Sequence, residues 1–119
     1  QAAFLSAGGY HHHVGLNTWE SRGGRAPAPG TTGLYHVAFL YPNRAALGRA
    51  YRRLIEHSIP LDGASDHGVI DALYRRYPDA NGIELYCDRP RYAWPPDAAG
   101  NLQMITRRLD LDDLLRAAE

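Results

Sequence analysis

A single helix of useful length, set among five or six strand-like runs, is the feature that most constrains this chain. From about Arg44 to His57 the residues Leu47, Ala50, Tyr51 and Leu54 fall on one helical stripe, while Arg49, Arg52, Arg53 and Glu56 take solvated positions. Asn43 is a natural N-cap for that helix, and Ile59-Pro60 stops it. The other patterned stretches alternate with period two. Ala2–Leu5 and Tyr10–Trp19 read as strands joined by a glycine turn at Gly8-Gly9, and Leu34–Tyr41 reads as a third. Leu61–Asp66 reads as a turn-rich connection. Gly68–Tyr74 and Ile83–Tyr86 are two more strands, linked by a tight turn of the Asn-Gly type at Pro78–Gly82. One helix followed by hairpin-linked strands predicts an α+β fold, with the helix covering one face of a largely antiparallel sheet. The opposite face has no second long helix to cover it. It must close against a partner or curl around a ligand, which predicts a cleft.

The 119 residues suffice for one compact core. Thirteen basic residues balance thirteen acidic ones, and the arginines are scattered, so neither a nucleic acid nor an anionic membrane is an expected partner. No run approaches the roughly twenty apolar residues that span a bilayer. A single cysteine, Cys87, excludes an internal disulfide framework and fits a reducing compartment, so the expected setting is the cytoplasm. Residues 20–32, rich in Gly, Pro, Ser and Arg, are the one candidate linker. After a Pro-rich excursion at Arg91–Gly100, residues 97–119 read as a tail ending in a short helix, with Asp110 and Asp113 at capping-box spacing. The opening Gln1-Ala2-Ala3-Phe4-Leu5 reads as the middle of a folded element, which leads us to expect residues upstream of it.

Two residues stand out chemically. His36 and Glu84 each sit within an apolar strand, and a carboxylate among Ile83 and Leu85 is costly to bury unless it is paired or coordinated. The plainer reading puts Glu84 on the solvent side. If both face inward, an imidazole and a carboxylate on adjacent strands suit Fe, Mn, Zn or Ni. A third ligand is needed, and His12 or His67 are the available candidates. Tyr74 and His67 could line such a site as hydrogen-bond partners or proton carriers. Alternatively they are a rim tyrosine and a turn histidine. His11, His12 and His13 cannot all aim at one point, because successive side chains of a strand alternate faces. On that reading His12 shares a face with Val14 and Leu16.

The stretches Phe4–His13, Gly15–Trp19, Thr32–Ala38, Gly63–Val69 and Asn81–Tyr86 resemble the vicinal oxygen chelate superfamily, which includes glyoxalases, bleomycin resistance proteins and dioxygenases. Within it they are most similar to catechol 2,3-dioxygenase-like members. The resemblance implies βαβββ modules paired into a curled mixed sheet around a metal cleft. Residues 1–96 would form the domain: 1–19 the end of a first, incomplete module, 20–32 the linker, and 33–87 the second module. His36 and Glu84 match the two metal ligands of the second module, and the third ligand would lie upstream of Gln1. His12 matches a histidine that assists dioxygen chemistry, Tyr74 matches a tyrosine ten residues before the ligand carboxylate, and His67 is the nearest equivalent of a further active-site histidine. The turn at 77–82 departs from the family form, with Tyr77 and Ala80 replacing an Asp and a Gly.

The implied function is extradiol cleavage of a small aromatic diol with Fe(II), in a homodimer. Two alternatives share the fold. One is a glyoxalase- or isomerase-like lyase using Mn, Zn or Ni. The other is a metal-free small-molecule binding protein.

Overall fold

The structure, a computed structural model, describes residues 1–77 and 79–119. Contacts divide the chain into two compact units, Gln1–Thr32 and Gly33–Glu119. No helix among the described residues is long and apolar enough to cross a membrane.

In the first unit β1 (Ala2–Leu5) and β2 (Val14–Asn17) pair antiparallel, from Ala2 opposite Asn17 to Leu5 opposite Val14. The strand expected over Tyr10–Trp19 is therefore much shorter. Gly8 and Gly9 both take left-handed backbone conformations, as the glycine turn requires. The loop they open stays unpaired until His13 donates its backbone N–H to Leu5 O at 2.8 Å. The histidine triplet thus belongs to a loop, and the face that His12 was expected to share with Val14 and Leu16 does not form there.

The second unit is an α+β sheet with helices packed on it, as the sequence predicts. Its strands are β3 (His36–Tyr41), β4 (Gly63–Asp66), β5 (Ile70–Arg76), β6 (Gly82–Asp88) and β7 (Arg107–Arg108), in spatial order β3-β6-β5-β4-β7. β3 runs parallel to β6 and every other pairing is antiparallel. Three details differ from expectation. Gly63–Asp66, read as a connection, is a strand, because Gly63 through Asp66 pair residue by residue with Tyr74 through Asp71. The β5–β6 hairpin exists, but its left-handed residue is Ala80 rather than Asn81 or Gly82, and Gly82 already pairs in β6. The loop is closed by Tyr77 N–H to Asn81 O at 2.9 Å; Pro78 lies outside the described residues. Residues 97–119 supply β7 and the short helix α2 (Leu111–Arg116) to this same unit.

The long helix α1 (Arg44–Glu56) starts where Asn43 Oδ1 accepts the N–H of Ala46 at 2.9 Å. It buries Leu47 against Leu73, Cys87, Leu109 and Leu114. α2 closes over it, its own cap formed by Asp110 accepting from Asp113 N–H. The two helices meet at Gly48, where a Cβ would collide with the carbonyl of Leu114. Leu114 is fully buried, and truncating such a leucine to Ala costs about 2–5 kcal/mol.

Period two sorts the sheet. Leu73, Leu85, Cys87 and Tyr41 face α1. So does Asp71, fully buried and held by Arg44 Nε at 2.8 Å and by Arg89 at 2.8 and 3.0 Å. The network continues from Arg89 to Asp66 at 3.0 Å, from Arg107 to Asp66 at 3.1 Å and from Arg44 to Asp113 at 2.7 Å. The opposite face carries His36, Ala38, Leu40, Glu84, Tyr86, Ala72 and Tyr74, as the pairing register dictates. No helix of this unit covers it, and Leu40 is 57% exposed.

Candidate metal centre

Of the five residues expected to carry chemistry, His36, Glu84, Tyr74 and His67 lie in the second unit, and they come together on the side of the sheet away from α1. Glu84 is central. It sits between Ala38 of β3 and Tyr74 of β5 in direct cross-strand register, and only 7% of its surface is exposed. The inward reading of this carboxylate holds, and the solvent-side reading does not. His36 precedes Ala38 by two residues, so its ring lies on the same face, with Nε2 3.1 Å from Glu84 Oε2. It is the first residue of β3, which begins two residues later than the Leu34 start read from the sequence. The ladder starts there because β6 begins at Gly82, the partner of His36, which leaves Tyr35 87% exposed. Gly82 matters to this geometry: a Cβ there would lie 2.8 Å from that of His36 and drive the two strands apart.

Tyr74 stands opposite Glu84 on the other side. Burial pushes its phenol up to about 12, and the negative charge of Glu84 and a hydrogen bond to its carboxylate add to the shift. The group is therefore a protonated donor throughout the neutral range. His67, in the turn between β4 and β5, brings Nε2 to 2.8 Å from the Tyr74 hydroxyl. Its Nδ1 lies 3.0 Å from the backbone oxygen of Ile105 and 3.2 Å from Thr106 Oγ1. Tyr35, His36, Tyr74, Gly82 and Glu84 line a cleft of about 540 Å³, within the ordinary range for small-molecule sites. A second cleft of about 590 Å³, between α1 and β3, is lined by Arg49, Arg52, Arg53 and Glu56 and contains no histidine.

His12 belongs to the first unit. Its ring packs on Phe4, with centroids 4.8 Å apart, and its Nδ1 lies 2.9 Å from that of His11.

A buried carboxylate whose one ion-pair partner among the described residues is an imidazole fits a divalent metal as two protein donors of mixed hardness. Among the described residues no cluster of three or more His, Cys, Asp or Glu side chains converges. The two donors are compatible with a metal and do not complete a site by themselves.

Sequence reasoning missed two features here. The contacts of Ile105 and Thr106 with His67 join residues 38 and 39 apart in sequence, and no local pattern signals them. Asp71 did leave a trace, a carboxylate alternating with Val69 and Leu73 on an apolar face.

No family model matches the chain, and no solved structure matches it. Two relatives do. Over 92 residues, 77% of this chain, it is 51% identical to a catechol-2,3-dioxygenase of Bacillus subtilis (strain 168), covering 32% of that protein. Over 97 residues, 80% of this chain, it is 36% identical to biphenyl-2,3-diol 1,2-dioxygenase 3 of Rhodococcus globerulus, covering 49% of it. The chain belongs to the vicinal oxygen chelate superfamily. Its homology is to the catechol 2,3-dioxygenase-like members, and β3-α1-β4-β5-β6 is consistent with one βαβββ module of that superfamily. The chain spans between a third and a half of the length of these relatives.

Proposed function

We propose that this chain works as part of an extradiol, catechol 2,3-dioxygenase-like ring-cleaving enzyme of the vicinal oxygen chelate superfamily, with His36 and Glu84 as metal ligands. In module terms, residues 1–19 end a first module, 20–32 link, and 33–87 form the second. The observation that carries the reading is the buried Glu84 carboxylate, facing an open cleft with the His36 imidazole 3.1 Å away. A solely structural carboxylate in such a place would be expected to hold a permanent cation, as Asp71 does. The similarity to two ring-diol dioxygenases supports the same reading.

Fe(II) is the proposed metal, with Mn, Zn or Ni as alternatives, held by His36 Nε2 and the Glu84 carboxylate plus a third ligand from elsewhere. When bound, it would supply Lewis-acid and redox chemistry toward a diol and dioxygen. The residues of this chain then orient and protonate. Gly82 lets β3 approach closely at Tyr35 and His36, and the exposed Tyr35 is available as an aromatic wall for a small aromatic diol. Tyr74 keeps its proton at neutral pH and, hydrogen-bonded to His67, can accept a hydrogen bond from a substrate hydroxyl at its phenol oxygen. His12 is proposed as a further proton carrier. We place the protein in the cytoplasm, which its single cysteine fits, and in a homodimer.

Metal content measured under anaerobic conditions tests the reading, followed by oxygen uptake with a panel of catechols. About one iron per chain and uptake with a catechol are expected. Zinc, nickel or manganese at that level, with no uptake, would move the assignment to a lyase or isomerase. No metal after reconstitution would leave a metal-free binding protein.

A further inference from the structure

The Tyr74 phenol has one proton and two neighbours able to take it, the Glu84 carboxylate and Nε2 of His67. Which of them receives it depends on where His67 carries its own proton. A backbone carbonyl can only accept a hydrogen bond, so the Ile105 oxygen, 3.0 Å from Nδ1, requires an N–H at that nitrogen. Thr106 Oγ1, at 3.2 Å, offers the same proton a second acceptor. A neutral imidazole protonated at Nδ1 has a bare Nε2. At 2.8 Å from the Tyr74 oxygen, that nitrogen must accept.

We infer that the segment Ile105–Thr106 sets the tautomer of His67, and through it offers the Tyr74 proton a second acceptor beside the Glu84 carboxylate. The consequence falls on the carboxylate. With the phenol proton shared with His67, Glu84 keeps more of its charge for His36 and for a cation. Were the ring protonated at Nε2 instead, Tyr74 would have to turn its O–H to Glu84 and weaken it as a ligand.

The segment is well placed to act as a clamp. Ile105 N–H donates to His67 O at 3.1 Å, so backbone and ring are held by the same residue. Immediately beyond it, Arg107 and Arg108 pair with Asp66 and Ser65 of β4. Arg107 also reaches the Asp66 carboxylate, which itself caps the turn by accepting from Gly68 N–H at 2.7 Å. The turn that carries His67 is thus fixed from both sides. Thr106 is a positioning residue, since it touches His67 and not the cleft donors.

The inference rests on the proposed roles of Glu84 and Tyr74, but its first test needs no turnover. Nitrogen-15 NMR of the imidazoles, with His67 assigned from His67→Asn, should show Nδ1 protonated and Nε2 bare at neutral pH. Tyr74→Phe should leave that pattern unchanged, because the carbonyl sets it. Thr106→Val should admit the other tautomer in part and lower kcat for a catechol by about threefold to tenfold at unchanged KM. Thr106→Ser should restore both. A wild-type ring protonated at Nε2, or at both nitrogens, overturns the inference. So does a tautomer that flips in Tyr74→Phe. A Thr106→Val protein identical to wild type in spectrum and kcat removes Thr106 from the clamp. If no variant consumes oxygen, the ring-cleaving assignment fails while the NMR result still decides the tautomer.

Discussion

Two buried carboxylates lie on neighbouring strands of the same sheet, and their surroundings could hardly differ more. Asp71, fully buried on the helix side of β5, is gripped by two arginines through three hydrogen bonds. Glu84, 7% exposed on the open side of β6, has an imidazole and a phenol that holds its own proton. A charge removed from water must be compensated, or its protonation shifts. Asp71 is compensated permanently by the protein. Among the described residues Glu84 has no guanidinium or ammonium partner, the arrangement expected of a group whose counter-charge is a ligand. The difference sets Asp71, a structural ion pair, apart from the carboxylate proposed as a metal ligand.

The largest effect expected from this contrast is on stability. Asp71→Ala leaves two guanidinium groups facing a vacated, buried position and should cost about 3–5 kcal/mol in urea unfolding. Glu84→Gln removes a weakly compensated charge from the same sheet, and should cost less than about 1 kcal/mol or even stabilise the protein. Equal losses in the two variants would break the comparison. The next effect has the opposite ranking. Glu84→Gln should weaken Fe(II) or Mn(II) binding by about a hundredfold, measured by anaerobic titration, because a charged donor becomes a neutral one. Asp71→Asn, in conditions where it stays folded, should bind metal as the parent does.

A third, smaller effect concerns Tyr74. Its phenol is raised from 10.0 to about 12, first by burial and then by the charge on Glu84. A raised value means that the folded state holds the proton more tightly than the unfolded chain. The stability linked to it is complete below about pH 10 and is lost as pH climbs toward 12. Glu84→Gln should bring the phenol part of the way back toward 10.0, since burial remains. Ultraviolet difference titration against a Tyr74→Phe reference reads this directly. No change in Glu84→Gln would mean that burial alone sets the value.

These two carboxylates also show what the sequence makes legible. Glu84 and His36 stood out because each interrupts an apolar strand, and period two put them on one face once the strands were parallel neighbours. The helix, its Asn43 cap and the α+β class followed from equally local signals. β4 was lost because Gly63-Ala64-Ser65-Asp66 has turn composition; its pairing partners, not its propensities, make it a strand. His36 moved to a strand end for the same reason, since register with Gly82 decides where a ladder starts. The His67 clamp and the Arg44–Asp71–Arg89 network join residues 18 to 39 positions apart, beyond any local periodicity. What alternation and capping specify can be read locally, whereas long-range polar partners require the fold.

Cys87 offers the finest test of the contrast, because it faces Asp71 directly across β5 and β6 while Glu84 points from the opposite side of its own strand. Burial, followed by the charge on Asp71, pushes the thiol up to about 11, and only 1% of the residue is exposed. At neutral pH about one molecule in ten thousand would carry a thiolate, and even that one is covered by the core. Labelling by a disulfide reagent must therefore wait for the α1 side of the sheet to open. Asp71→Asn loosens that side and should speed labelling. Glu84→Gln acts on the other face and should leave the rate within about twofold of the parent, the size of a shift of a few tenths of a kcal/mol. If Glu84→Gln accelerated labelling as much as Asp71→Asn, the two faces of the sheet would be energetically coupled, and Glu84 would have to be counted among the groups that hold the core together.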